Sequence, residues 1–374
     1  MSGLWRHLKG WPGLAAAAVV TSAAVAGGMV SADRASLLAG KPPAAPHARL
    51  VAEIPPPAPQ ALQAELARLA EGYGEDVGLA VTDVRTGWTA GVDLDRPYPQ
   101  QSVSKLWVAL SVLQAVDDGS LTLDQPVVLT KSDRSVFYQP VTRRIRGPEG
   151  FETTVYDLLQ RQLTESDNAA SDKLMAEVGG IDVVTRTITE KGLNGVAVGA
   201  SERDLQTRTA GLTWRPEYGF TWIFKQARAE LPDEVRDAAL DAYLAAPPDG
   251  AKPAAITRAL ASLKRGELLS AGSTRVMLDL MAQCRTGSSR LRAGLPEDWA
   301  IAHKTGTGPD WRGASVGIND VGLLTAPDGR TYAVAVMLRE TRKPQSQRLA
   351  LMHAVSRAVV DQWARDTGGA RMAD

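Results

Sequence analysis

Gln101-Ser102-Val103-Ser104-Lys105 stands where an extended segment gives way to a helical one, and its reading decides what surrounds it. Upstream, Val77 to Asp83 and Trp88 to Val92 flank Arg85-Thr86-Gly87, which predicts two strands joined by a tight turn. Downstream, residues 102–117 keep apolar positions at helical spacing. Residues three apart on a helix share a face, so the Lys105 amine can reach the Ser102 hydroxyl. A serine at a helix start also sits among N–H groups without intrahelical partners, which favour a developing negative charge. Ser-x-x-Lys alone is a weak signal. With 21 Ser and 11 Lys in the chain, about 0.6 such pairs arise by chance, and most are a capping serine beside a solvated lysine.

Two further triplets change that reading. Ser166-Asp167-Asn168 and Lys304-Thr305-Gly306 each occur once, against roughly 0.01 and roughly 0.07 expected from composition. Together the three motifs supply a nucleophile, an amine beside it, a second hydroxyl, an amide and a second cation. Histidine is scarce: of His7, His47, His303 and His353, two precede the folded region. Cys284 is the one cysteine, which excludes an internal disulfide and a Cys-rich zinc module. It reads as a buried thiol without chemistry. A Ser-His-Asp triad or a multi-His metal site is poorly supplied, so a hydrolase built on this sequence would work without histidine, and no metal or cofactor is implied.

Around these motifs, 374 residues suffice for one large domain or two small ones. Apolar residues at 44% and charged residues at 22% exclude disorder throughout. Lys plus Arg equals Asp plus Glu at 42 each, which removes an electrostatic case for nucleic acid as the main partner. Residues 1–30 are not fold. Arg6, His7 and Lys9 form a basic start, Leu14 to Ala26 an Ala/Val-rich run, and Ala24-Val25-Ala26 a small-x-small cleavage pattern. Trp11 to Val30 also matches one bilayer span, so a cleaved signal and an uncleaved anchor both stay open. Either one exports the chain, to the periplasm. Residues 31–60 form a linker, densest in proline and alanine from Lys41 to Gln60, where proline blocks helix and sheet ladders.

From residue 61 the pattern predicts a helix at 61–70, helices at 155–163, 167–178, 181–191, 233–245, 254–265 and 270–283, strands at 299–304, 314–325 and 331–338, and a closing helix over 346–366. The fold class is mixed α/β, of the α+β kind. A five-stranded antiparallel sheet lobe with flanking helices (about 61–101 and 299–374) carries an inserted all-α lobe (about 102–298). Trp214, Trp222 and Trp311 read as core or loop anchors.

The ordered set of motifs resembles penicillin-binding proteins and class A β-lactamases, the latter most closely over about 60–366. Tyr138-Gln139-Pro140-Val141-Thr142 is similar to the family's Tyr-x-Pro-Val-Thr segment at the active-site rim. Gly179-Gly180 and Arg312-Gly313 fall at the family's distances, and Glu202-Arg203-Asp204-Leu205-Gln206 stands where it has Glu-x-x-Leu-Asn on an omega loop. The resemblance implies that Ser102 attacks the lactam carbonyl, with Lys105 or Glu202 taking its proton. It implies that Glu202 activates the hydrolytic water beside Gln206, and that the N–H groups of Ser102 and Thr307 form an oxyanion hole. Ser166 then relays a proton to the leaving nitrogen, Asn168 binds the acylamino group and Tyr138 lines the rim. Lys304, Thr305, Gly306 and Arg312 hold the substrate carboxylate.

Three departures stand out. Gln206 replaces an asparagine, Ala200 replaces an arginine that pairs with an aspartate (Asp249 here), and residues 207–248 are longer than usual. The acylation machinery reads as intact and the deacylation machinery as altered. A monomeric serine β-lactamase is expected, its partner a small β-lactam. The alternatives are a D-alanyl-D-alanine peptidase acting on peptidoglycan stems and a penicillin-binding sensor that stays acylated. Membrane contact is expected only through an uncleaved anchor.

Overall fold

The computed structural model describes residues 55–368, so the signal or anchor reading and most of the linker lie outside the described residues. Five strands form one antiparallel sheet: β1 (Val77–Asp83), β2 (Thr89–Val92), β7 (Ala300–Gly306), β9 (Ala314–Thr325) and β10 (Thr331–Thr341), in the order β2-β1-β10-β9-β7. A two-residue strand, β8 (Asp310–Trp311), adds to β9. Short pairs elsewhere join β3 (Tyr98–Pro99) to β6 (Gly250–Ala251) and β4 (Pro126–Leu129) to β5 (Phe151–Thr154).

The helices are α1 (Gln60–Tyr73), α2 (Lys105–Asp117), α3 (Val155–Gln160), α4 (Asn168–Glu177), α5 (Ile181–Glu190), α6 (Glu202–Thr209), α7 (Thr221–Glu230), α8 (Asp233–Ala245), α9 (Pro253–Lys264), α10 (Ala271–Ala282) and α11 (Gln345–Asp366). The expected elements are present. The residues read as the first helix turn at Ser102 form a 3-10 turn, Gln101–Ser104, that runs into α2. Sequence reasoning missed α6 and α7, whose short, polar segments carry little apolar periodicity.

Both sheet faces are covered, and side-chain alternation decides by what. Leu79, Val81, Tyr332, Val334, Val336 and Leu338 point into a core shared with Leu62 and Leu66 of α1 and with Met352, Val355 and Val359 of α11. The alternate positions Ala80, Ala333, Ala335 and Met337 join the core of the helical block. Those residues are mostly small because α9, itself alanine-rich, lies against β1 and β10. At Gly78 an added Cβ would meet the Pro253 ring at 2.6 Å, so glycine permits the approach. α9 falls in the stretch read as helical lobe, yet it packs on the sheet. Burying a Leu or Val side chain contributes roughly 1.5–3 kcal/mol, so this double-sided sheet is a rigid frame for its edge strand β7.

Candidate active site

α2 and β7 meet at a cleft of about 920 Å³ lined by Ser102, Tyr138, Ser166, Asn168, Glu202, Gln206, Thr305 and Thr307 among others. The Ser102 turn is held by an unusual backbone: Gln101 has φ +52, a left-handed conformation costly for a residue with a Cβ. Its N–H donates to the Asp249 carboxylate at 2.7 Å, which holds the turn in place. Gly306 lets β7 approach this turn, because a side chain there would collide with the Gln100 carbonyl.

Lys105 and Lys304 are both fully buried. Lys105 Nζ donates to Ser102 Oγ (2.9 Å), Asn168 Oδ1 (2.9 Å) and Glu202 Oε1 (2.5 Å), so one ammonium ties three motifs together. The other carboxylate oxygen, Glu202 Oε2, is buried without a hydrogen-bond partner among the described residues. Lys304 Nζ donates to Ser166 Oγ at 2.9 Å and to the Thr305 carbonyl at 3.0 Å. Burial, and then the charge of Lys105, pull Lys304 down to about 7.

Ser166 itself is left-handed, at φ +64, following a π-helical turn over Arg161–Glu165. Asp167 then caps α4 through Ala170 N (3.0 Å) and binds Val141 N (2.7 Å), joining the triplet to the Tyr138 segment. Tyr138 is 55% exposed at the rim. Behind β7, His303 Nδ1 lies 2.8 Å from Asp320 Oδ1. Burial alone would depress His303, but the Asp320 charge outweighs it and holds the imidazole at about 10. Burial would likewise raise the Cys284 thiol, yet His303 and Lys304 bring it down to about 7.

These residues agree with the comparisons. Residues 61–363 match the pattern of the Beta-lactamase enzyme family. The chain belongs to that family. It is 26% identical over 268 residues to β-lactamase VEB-1 of Pseudomonas aeruginosa, spanning 71% of this chain and 78% of that one. A β-lactamase of Streptomyces albus G is 27% identical over 278 residues, 74% and 76% of the two chains. A solved β-lactamase from Chitinophaga pinensis superposes with a TM-score of 0.66 at 26% identity, over 81% of this chain and all but 1% of its own (99% covered). A variant of the last common ancestor of Gram-negative class A β-lactamases gives 0.64 at 31% identity, covering 82% and 99%. The protein is thus a serine hydrolase of the class A β-lactamase type.

One family expectation fails in this geometry. Arg312 does not line the cleft. Its guanidinium pairs with Asp237 (3.0 Å) and Asp233 (3.3 Å) of α8, half exposed beside Trp311. The longer loop supplies those aspartates and draws the arginine away. Arg290 lines the cleft instead, donating to the Gly306 carbonyl (2.9 Å), the Asn319 carbonyl (2.6 Å) and Thr307 Oγ1 (2.6 Å). Burial lowers its pKa from the usual arginine value. No local motif marks Arg290, since only the fold brings it beside β7.

The loop bearing Glu202 is held without the family's ion pair. Ser201 Oγ accepts from Asp204 N at 3.3 Å to cap α6, and Asp172 takes the N–H groups of Glu202 (2.6 Å) and Arg203 (3.1 Å). Burial, and then the charge of Glu202, raise Asp172 to about 6. Asp249, with alanine and not arginine at position 200, accepts from the Tyr243 hydroxyl at 2.9 Å. Tyr243 accepts from Gln101 Nε2 (2.6 Å), and Gln101 Oε1 accepts from Gln206 Nε2 (2.9 Å). Burial raises Asp249 to about 6 and pushes Tyr243 well above its ordinary value. Gln206 thus spends its N–H₂ on Gln101 and leaves its carbonyl oxygen at the cleft. Trp214 packs on Tyr218 at 6.4 Å and Trp311 donates to Asp237 at 2.7 Å, as expected of anchors, but Trp222 is 66% exposed and is no core residue.

Proposed function

We propose that this protein is exported and hydrolyses the amide of β-lactams through an acyl-enzyme on Ser102. The carrying observation is the Lys105 ammonium bridging Ser102 Oγ and Glu202 Oε1. When Glu202 takes a proton from Lys105, the free amine takes the Ser102 proton as Oγ attacks the carbonyl. The N–H groups of Ser102 and Thr307, at a helical start and on the cleft wall, receive the oxyanion, contributing about 3 kcal/mol each. Ser166, held by Lys304, passes its proton to the departing nitrogen and is resupplied by Lys304, and the proton parked on Glu202 returns through cleft water to Lys304, which leaves Glu202 a carboxylate again.

Glu202 Oε2, without a partner among the described residues, then takes a proton from a water, the hydroxide cleaves the ester, and that proton passes through Lys105 to the Ser102 oxygen. The Gln206 carbonyl orients that water. Lys304, Thr305 and Arg290 hold the substrate carboxylate, and Asn168 and Tyr138 hold the acylamino side. Gly306 serves by bringing β7 close. Export rests on the basic start and apolar run of residues 1–30.

The test is turnover of a chromogenic cephalosporin, with intact-mass analysis of the same sample. Hydrolysis without lasting mass gain is expected, and Ser102→Ala should remove both turnover and labelling. Labelling that survives in Ser102→Ala would refute the nucleophile. A wild-type adduct that persists would favour the sensor over the hydrolase.

A further inference from the structure

The cleft has an arginine that the proposed reaction does not use. Arg228 lines it from α7, within the long 207–248 stretch. α7 reaches across the mouth. At one end Thr221 Oγ1 donates to the Phe137 carbonyl (3.2 Å) and Phe224 packs edge-on against the Phe137 ring (5.1 Å). Further along the helix, Arg228 Nη2 donates to the Asp310 carbonyl (2.9 Å), just past the Lys304–Gly308 run.

That contact is its one hydrogen bond among the described residues, and no carboxylate lies within ion-pair distance. The Asp310 carboxylate accepts from the Ser315 hydroxyl instead. The other arginines of the cleft are more fully engaged: Arg290 by Gly306, Asn319 and Thr307, and Arg348 by the Lys343 carbonyl and Ser315. Partial burial, and then the nearby Arg236, disfavour the Arg228 cation, and the Asp310 charge offsets them only in part. A half-buried guanidinium with unspent donors is suited to a planar anion, which it can grip with two parallel hydrogen bonds.

The substrate side it faces follows from the proposed function, on which this inference rests. With the lactam carbonyl at Ser102 and the ring carboxylate at Lys304 and Arg290, the acylamino group extends past Asn168, between the Glu202 loop and the strand leading to Asp310. Arg228 lines the same cleft and holds the Asp310 carbonyl beyond that strand. We propose that Arg228 is a specificity-determining residue that binds a carboxylate carried on the acylamino side chain. Its preferred substrates are dianionic β-lactams.

Carbenicillin and benzylpenicillin differ by one such carboxylate, so the full chain is assayed with both. The ratio of kcat/KM values, carbenicillin over benzylpenicillin, should fall about tenfold in Arg228→Gln and in Arg228→Ala, with benzylpenicillin changed less than twofold. Arg228→Lys should keep an intermediate ratio, since the charge remains and the two-pronged grip does not. An unchanged ratio in all three variants overturns the inference, as does an equal loss on both penicillins, which would mark Arg228 as a clamp on Asp310 only. Calorimetric binding of both penicillins to Ser102→Ala, with and without Arg228→Gln, reads the same preference without turnover. If neither penicillin is hydrolysed or acylates Ser102, the proposed function fails. The binding ratio then still decides for or against Arg228.

Discussion

The frame that carries Ser102, Lys105, Ser166 and Lys304 and the loop from Ser201 to Asp249 face the same cleft, but they are built by different means. In the frame, each functional side chain sits at the end of a regular element whose other face is buried in one of two large cores. Apolar packing fixes its position. In the loop, position depends on buried polar contacts: Gln206 to Gln101, Gln101 to Tyr243, Tyr243 to Asp249. Its apolar clusters are small, one built on Leu205, Leu240, Tyr243, Leu244 and Val316 and the other on Val136, Ala210, Tyr218 and Phe224. The proposed nucleophile is therefore set by sheet and helix, with Asp249 fixing its turn, and the proposed base by hydrogen bonds to Asp172 and Lys105. Damage to the loop should fall on deacylation and spare acylation.

The largest effect expected is at the base itself. Glu202→Gln cannot accept a proton at neutral pH, and general-base assistance is worth about 10²–10⁴-fold. Turnover should drop by that factor while one acyl group per chain accumulates on Ser102, read by rapid-quench mass spectrometry. Wild-type turnover in this variant would mean that the loop has moved the base elsewhere, and the contrast between the regions would collapse.

Tyr243→Phe tests the chain of contacts away from the base. It removes a buried hydroxyl that serves both Gln101 and Asp249, at a cost of about 1–3 kcal/mol. The melting temperature should fall by several degrees, and the deacylation rate should fall more than the acylation rate in single-turnover experiments. Equal losses in both steps would show that Tyr243 supports the frame through Gln101 as much as the loop.

The smallest effect belongs to the frame and appears with pH. Lys304, depressed to about 7, is an ammonium below that value and an amine above it. Attraction for a substrate carboxylate is thus present on the acid side and lost as pH rises through about 7. For the free enzyme kcat/KM should decline by up to about tenfold between pH 7 and 8. Lys304→Arg should move that limb upward. A limb unmoved by the substitution would assign it to another group.

Much of the frame was legible because its signals are local. Ser102 and Lys105 are three residues apart, the Ser166 triplet caps its own helix through Asp167, and β9 and β10 are long and largely apolar. The loop was legible at Glu202 and little further. Arg312 satisfied a spacing, but two aspartates on α8 take it, and no sequence pattern announces an ion pair across 75 or more residues. Arg290 and the role of Gln101 were hidden for the same reason: their partners are neighbours only after folding. α6 and α7 escaped notice because polar or short helices lack the apolar stripe that sequence periodicity reads.

Tyr243 comes from α8, inside the extra stretch. The added length therefore supplies a partner to Asp249, for which the resemblance leads one to expect an arginine at position 200. A positive charge that would have neutralised Asp249 has been exchanged for a hydroxyl delivered on a helix, and neither half of the exchange stands alone. Trimming the stretch to the family's usual length would leave the Gln101 N–H to serve the buried carboxylate without a hydroxyl, and restoring the arginine while keeping α8 would add a guanidinium to a carboxylate that already serves two donors. A chain reverting to the common design would have to make both changes together.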